Sequence, residues 1–215
     1  RSSNRAKPLE VRSRALEMWQ ERLEGWGPTL ACEKLAEAGM EVDHETLRRW
    51  LIEEGLWKRH RRKKPHRRWR ERKVHFGELV QMDGSPHDWL GLGERDCLMM
   101  MVDDATSRSM SQLGTEETTR SALGLLRRWV ERYGIPCALY TDRHAVYHAE
   151  REATPGEIEA ERAPRTAFGK VCAKLGIRII LASSPQAKGR IERRHGLYQD
   201  RLVKELRFLG IRDME

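Results

Sequence analysis

The stretch GELVQMDGSPHDWLGLGERDCLMMMVDDATSRSMSQLG, residues 77–114, decides the fold. It contains three apolar runs, at 77–83, 96–104 and 107–114, which are separated by segments rich in Gly, Pro, Asp and Ser. Short apolar runs with such boundaries are typical of β-strands joined by turns. The stretch therefore predicts three consecutive strands, and the first of them is expected to end at Asp83.

The residues downstream alternate between helix and strand patterns. The segment TTRSALGLLRRWVERYG predicts a helix that ends at Gly134, and CALYTD predicts a short strand that ends at Asp142. A helix, a strand and a long helix are then predicted at 166–175, 177–183 and 188–209. Residues 150–165 are charged and contain two prolines, which indicates an insertion that forms a loop or a short surface helix. The order β-β-β-α-β-α-β-α predicts an α/β domain over 74–215, in which helices flank a mixed sheet.

Residues 1–57 have a different pattern, that of an all-α domain. Helices are predicted at 8–24, from Pro28 to Gly39, and after Asp43, which is a suitable N-cap. Three short helices with a tight turn before the last resemble a helix-turn-helix domain, whose third helix would present Arg48 and Arg49 to DNA. The alternative is a small helical bundle with a solvated charged face.

The positive charge is concentrated between these two regions. The chain has a formal net charge of +8 and a pI of about 9.6. Segment 58–73, KRHRRKKPHRRWRERK, contains eleven Lys or Arg residues and the single acid Glu71. An extended basic linker that follows DNA phosphates is predicted, and a solvated tail or a membrane-surface anchor is the alternative. Its candidate phosphate contacts are Arg61, Arg62, Lys63, Lys64, Arg67 and Arg68.

Several classes of protein are disfavoured by the sequence. It contains no run of the roughly 18 apolar residues that a membrane span needs, and its first residues lack the apolar core of a signal peptide. Cys32, Cys97, Cys137 and Cys172 form no CxxC pair, which argues against a zinc knuckle or a disulfide framework. We therefore expect a cytoplasmic protein with reduced thiols and no membrane partner.

Three acidic residues are candidates for metal-dependent catalysis. Asp83 and Asp142 end predicted strands, and Glu192 lies in the first turns of the helix that follows the last strand. Carboxylates from separate elements are the oxygen ligands that Mg²⁺ and Mn²⁺ prefer. Two such ions can activate an attacking oxygen and stabilise a leaving oxygen in phosphoryl transfer. The pattern predicts a two-metal site with Asp83, Asp142 and Glu192 as its metal-binding and catalytic residues.

Four sequence blocks carry a resemblance to a known family. They are VQMDGSPHDW, MMMVDDATSR, YTDRHAVY and ASSPQAKGRIERRHGLYQDRL, and together they resemble the integrase-type (rve) DDE transposases of bacterial insertion sequences, closest to the ISNCY-like group. Gly189 stands three residues before Glu192, as in that family's pattern. Asp83, Asp142 and Glu192 match the family's catalytic triad. Asp142 and Glu192 are separated by 50 positions where integrases commonly have about 35, and the insertion at 150–165 accounts for the difference.

The resemblance implies a ribonuclease H-like catalytic core and two Mg²⁺ or Mn²⁺ ions. It also implies nicking of DNA at element ends by water, followed by attack of the freed 3′-hydroxyl on target DNA. The implied partners are the double-stranded terminal inverted repeats, the target DNA and further copies of the chain, in the bacterial nucleoid. The rival functions are a non-catalytic DNA-binding regulator derived from a transposase, and another ribonuclease H-like nuclease.

Further residues near the triad are secondary candidates. Lys188, Arg190 and Arg194 flank Glu192, and we expect contacts from this group to DNA phosphates. His195 lies one helical turn after Glu192, where it could touch the scissile phosphate or be a plain surface histidine. Asp103 follows a predicted strand and is interpreted as a core or turn residue, with a ligand role as the alternative.

Overall fold

The computed structural model describes residues 7–58, 71–159, 163–182 and 188–214. The chain divides into two compact units, Arg1–Arg67 and Arg68–Glu215. The division falls inside the basic segment 58–73. All six candidate phosphate contacts of that segment, Arg61, Arg62, Lys63, Lys64, Arg67 and Arg68, lie outside the described residues.

The first unit contains three helices, α1 (Leu9–Arg22), α2 (Pro28–Glu37) and α3 (His44–Glu53). The Asp43 side chain accepts a hydrogen bond from the backbone N–H of Glu45 at 2.9 Å, as an N-cap of α3 does. The helices enclose an apolar core that includes Ala15, Trp19, Leu30, Leu35, Leu47 and Leu51. The three predicted helices are confirmed, while a DNA-binding role for this unit stays a prediction.

The second unit is an α/β domain built on one five-stranded sheet. Its strands are β1 (Val80–His87), β2 (Asp96–Asp103), β3 (Ser109–Gly114), β4 (Ala138–Thr141) and β5 (Arg178–Leu181). They lie in the order β3-β2-β1-β4-β5, with β2 antiparallel to both β3 and β1, and β4 parallel to both β1 and β5. The helices are α4 (Thr119–Tyr133), α5 (Pro155–Glu159), α6 (Ala167–Lys174) and α7 (Gly189–Leu209). The predicted mixed sheet flanked by helices is confirmed.

Successive residues of a strand point to opposite sides of the sheet, so each face presents its own apolar side chains. Helices cover both faces. On one face, Val80 and Met82 of β1 belong to a buried cluster that includes Trp129 of α4 and Phe168 of α6. On the other face, Leu98 and Met100 of β2 form a second cluster with Trp89 and with Ile191 of α7. Asp83 follows Met82, so its side chain lies on the face that α7 covers.

The first strand is longer than the sequence predicted. The segment after Asp83, GSPH, was expected to be a turn, but β1 continues through it and pairs with β2 as far as His87. Proline is tolerated there because β4 pairs with β1 only at Val80 and Gln81, which leaves the far side of Pro86 open. Asp83 therefore lies within β1 rather than at its end.

Two smaller expectations concern the surface. The charged insertion carries the short helix α5, whose described side chains are exposed. Within the described ranges, no helix combines the length and the apolar composition that crossing a bilayer requires.

Candidate active site

Asp83 and Asp142 converge where the parallel pairing of β1 and β4 ends. The parallel register pairs Val80 with Leu139 and Gln81 with Tyr140. Continued by two residues, this register places Asp83 level with Asp142, the residue directly after β4. The Asp142 carboxylate is oriented by the backbone N–H of His144, which donates to its Oδ1 at 2.9 Å. The sheet thus positions the two carboxylates as the sequence predicted, although Asp83 lies inside a strand.

One cation joins the two aspartates. The Lys188 Nζ lies 2.7 Å from Asp83 Oδ1 and 3.3 Å from Asp142 Oδ2. The Lys188 side chain is only 9% exposed, although it was predicted to contact DNA phosphates. Its ammonium group therefore occupies a position between the carboxylates in which a bound cation is electrostatically favoured.

Burial makes Asp83 a weaker acid than an aspartate exposed to solvent. Its side chain is 15% exposed, and burial raises its pKa from 3.8 to about 6. Lys188 acts in the opposite direction, while the negative charges of Asp142 and Glu117 raise the pKa further. A buried acid among other acids gains strongly from a nearby cation, since the cation stabilises the ionised form.

The third predicted ligand, Glu192, lies on the helix face that approaches Asp83. Lys188 precedes it by four residues and His195 follows it by three, so the three residues share one side of the helix. His195 Nδ1 lies 3.9 Å from Asp83 Oδ2, and Lys188 contacts the same aspartate. The Glu192 side chain itself is exposed. Among the described residues, no three His, Cys, Asp or Glu side chains are close enough to hold a metal ion.

A buried polar network fixes the start of α7, and so the position of Glu192. Asp104 is fully buried and pairs with Arg190, whose Nη1 lies 2.9 Å from its Oδ1. Gln81 links the same parts, since its side-chain amide donates to Asp104 Oδ1 at 3.2 Å and its Oε1 accepts from the Ile191 N–H at 3.2 Å. The first turn of α7 is thereby attached to β1 and to the end of β2.

The two accessory candidates have opposite placements. His195 is buried beside Asp83, and its burial, with the charge of Lys188, lowers its pKa to about 4. Its Nε2 has no hydrogen-bond partner within the described part of the chain. Asp103 of β2 lies opposite Val80, which is three residues before Asp83 in β1. It accepts hydrogen bonds from the Gly77 and Thr106 N–H groups. The site thus includes the histidine, and Asp103 stabilises a turn.

The remaining predicted DNA contacts are dispersed. Arg48 and Arg49 lie on α3 and pair with Glu45 and Glu53 of the same helix. Arg190 is committed to the buried pair with Asp104, which differs from the predicted surface contact because its side chain is only 10% exposed. Arg194 donates to the carbonyl of Ser107 at 2.8 Å. A DNA contact from any of these stays a prediction.

Sequence reasoning missed one acidic residue near the site. Glu117 lies between β3 and α4, and its Oε1 accepts a hydrogen bond of 2.8 Å from the Tyr147 hydroxyl. Burial and the charge of Glu117 raise the pKa of Tyr147 well above its usual range, so the hydroxyl stays protonated. Tyr147 is the last residue of the block YTDRHAVY, and its place in that block was the sequence signal that could have identified it. Glu117 precedes a helix N-cap and had no comparable signal.

The residues present fit the divalent ions that the sequence implies. Asp83, Asp142 and Glu192 offer only carboxylate oxygens, the ligands that Mg²⁺ and Mn²⁺ prefer. The position of the Lys188 ammonium between the two aspartates shows that they accept a shared positive charge. Asp83, Asp142 and Glu192 are therefore the residues that would hold such ions.

Comparison with curated proteins finds two similar sequences with related names. The "Putative transposase y4bF" of Sinorhizobium fredii is 39% identical over 209 residues, which cover 95% of this chain and 44% of that protein. The "Transposase for insertion sequence IS1202" of Streptococcus pneumoniae is 35% identical over 147 residues, 68% of this chain and 31% of that protein. The chain is thus similar in sequence to two proteins named as transposases. It spans less than half the length of either one, and no family model matches it.

Solved structures give a more distant similarity. The HTLV-2 integrase catalytic core domain, solved in complex with magnesium, aligns with a TM-score of 0.44 and 18% identity over 61% of this chain and 73% of that one. A chain of the simian T-cell lymphotropic virus intasome, solved with PP2A regulatory subunit B56 gamma, aligns with a TM-score of 0.46 and 16% identity over 86% of this chain and 65% of that one.

Proposed function

We propose that this chain is the DNA-binding and catalytic part of an integrase-type DDE transposase, a polynucleotidyl transferase that cuts element ends and joins them to target DNA. One observation carries the proposal: Asp83 and Asp142 share a cation next to the α7 face that bears Glu192. The 39% identity to a protein named as a transposase, over 95% of the chain, supports it. The sheet order β3-β2-β1-β4-β5 supports a ribonuclease H-like core.

Each residue has a defined task in this proposal. Asp83, Asp142 and Glu192 would hold two Mg²⁺ or Mn²⁺ ions, which would supply an activated water and stabilise the leaving oxygen. Asp83 is held rigidly in the sheet, whereas Glu192 depends on the anchored first turn of α7. His195 lies beside Asp83, and its Nε2, which has no hydrogen-bond partner in the described part of the chain, can donate or accept a hydrogen bond there.

The first unit and the basic segment supply the DNA contacts. We infer that α3 is a recognition helix that presents Arg48 and Arg49, and that segment 58–73 follows the phosphate backbone. The substrates are the double-stranded terminal inverted repeats of the element and its target DNA. Several copies of the chain act together on two element ends, and we place the protein in the bacterial nucleoid.

The test is strand cleavage on labelled duplexes that carry candidate element ends. Wild type is compared with Glu192→Gln and Asp142→Asn, in Mg²⁺ or Mn²⁺ and in EDTA. Asp200→Asn is the matched control, because Asp200 is an exposed acid on the same helix that pairs with Lys204. We expect metal-dependent nicking that is lost in both site variants and retained in the control. End binding should persist in all four proteins.

One observation favours a second candidate function. Glu192 is exposed, and no three-ligand metal cluster is formed by the described residues. A transposase-derived regulator that binds element ends without cutting them fits this arrangement. Binding without cleavage in every protein and every metal would support that function and contradict the catalytic proposal.

A further inference from the structure

The loop after β3 approaches β1 closely, and the three predicted metal ligands take no part in this contact. Gly84 follows Asp83, and a Cβ atom placed on it would lie 2.7 Å from Glu117 Cδ and 3.0 Å from Cys97 Sγ, in collision with Glu117 Oε2. The φ angle of Gly84 is not in the left-handed region, so backbone freedom is not what requires glycine there. The missing side chain instead makes room for the Glu117 carboxylate.

A second contact holds this carboxylate in place. Tyr147 is buried, packs edge to face on Phe168 of α6 at 5.2 Å and donates its hydroxyl hydrogen to Glu117. Its position is therefore set by the core. Glu117 is fixed from two sides, by a rigid donor and by the backbone of the residue next to Asp83.

We propose that Glu117 is a fourth acidic residue of the site, a positioning residue whose negative charge strengthens cation binding by Asp83 and Asp142. Gly84 admits its carboxylate and Tyr147 holds it. Gly84 points to the opposite face of the sheet from Asp83, so Glu117 acts through the electrostatic potential at the aspartates rather than as a ligand. The inference rests on the proposed metal-dependent function.

The test measures Mn²⁺ binding to the 215-residue chain without DNA, by electron paramagnetic resonance of the free ion. Glu117→Gln is nearly isosteric and its amide oxygen can still accept from Tyr147, so the fold is kept while the charge is removed. We expect its Mn²⁺ dissociation constant to rise on the order of tenfold. Glu116→Gln removes an exposed neighbouring charge and should leave the constant unchanged.

Two further pairs test how Glu117 is held. Gly84→Ala should weaken Mn²⁺ binding by displacing the carboxylate, whereas Gly114→Ala should not, because a Cβ on Gly114 meets nothing within 4 Å. Tyr147→Phe should weaken it by about two- to threefold through the lost hydrogen bond. Thermal melting in EDTA identifies any variant that is unfolded.

The outcomes separate the two proposals. If wild type binds Mn²⁺, Asp83→Asn does not, and Glu117→Gln equals wild type, then Glu117 has no role in the site and the inference is wrong, while the proposed function stands. If wild type binds no better than Asp83→Asn, the metal site fails and both proposals fall. Weakening in Glu117→Gln with Glu116→Gln unchanged supports the inference.

Discussion

The parallel pairing of β1 with β4, at Val80 and Gln81, has a buried acid near each end, and the two acids have opposite kinds of partner. At its beginning, Asp104 is held by the Arg190 guanidinium, the Gln81 amide and the Lys73 N–H, the last at 2.8 Å. At its other end, Asp83 faces the buried ammonium of Lys188 together with a second aspartate. The first acid has donors on several sides, whereas the second shares one cation with Asp142. We expect this difference to distinguish an acid that stabilises the fold from one that is available to a metal ion.

The largest expected effect is on stability at the Asp104 end. Asp104→Ala should lower the free energy of unfolding of the second unit by about 3–5 kcal/mol, because it removes the carboxylate that pairs with the buried Arg190 guanidinium. Urea denaturation followed by circular dichroism measures this.

Asp83→Asn is the comparison variant and should be neutral or slightly stabilising at pH 7 in EDTA. It removes a buried negative charge from a position next to other acids. Equal losses in Asp104→Ala and Asp83→Asn would show that the two ends are alike and would remove the distinction between them.

A smaller effect should appear in the dependence of stability on pH. Asp83 has a pKa of about 6 in the folded chain and 3.8 ordinarily, so the folded state binds its proton more tightly. The stabilisation is complete below about pH 3.8 and is lost as the pH rises through about 6. Metal-free wild type should therefore lose on the order of 2–3 kcal/mol relative to Asp83→Asn across this window. A flat difference between the two proteins would contradict the elevated pKa.

The contrast between the two ends also explains what the sequence could predict. The hydrophobic periodicity predicted the helices. Asp83 and Asp142 were expected at strand ends, and parallel pairing of those strands predicted that the two aspartates meet, although Asp83 lies within β1. The continuation of β1 through Pro86 was missed because its open side becomes evident only from the short pairing with β4.

Ion pairs and contacts between residues far apart in the chain could not be predicted from the sequence for the same reason. Arg190 and Lys188 are two residues apart and looked equivalent as DNA contacts, yet one pairs with Asp104 and the other with Asp83. Glu117 reaches the site only because three separate segments meet at Gly84. Such contacts are set by the packing of α7 and of the loop after β3 on the sheet, which sequence spacing does not determine.

The smallest expected effect comes from Lys188, and it separates the two ends most sharply. Lys188→Met removes the ammonium that a metal ion must displace from Asp83 and Asp142, so the Mn²⁺ dissociation constant should fall about three- to tenfold. Lys204→Met is the control on the same helix, since Lys204 pairs with nearby Asp200. Weaker binding in Lys188→Met would show that the lysine assists the metal rather than competes with it.

The corresponding substitution of Arg190, which pairs with Asp104, should respond differently to metal. Without metal, Lys188→Met and Arg190→Met should both destabilise the second unit, because each leaves a buried carboxylate without its cation. Saturating Mn²⁺ should restore the stability of Lys188→Met, since the ion replaces the missing charge, and should leave Arg190→Met impaired. Thermal melting with and without Mn²⁺ measures both. Rescue of both variants, or of neither, would mean that a cation shared by two aspartates does not mark the metal-binding acid.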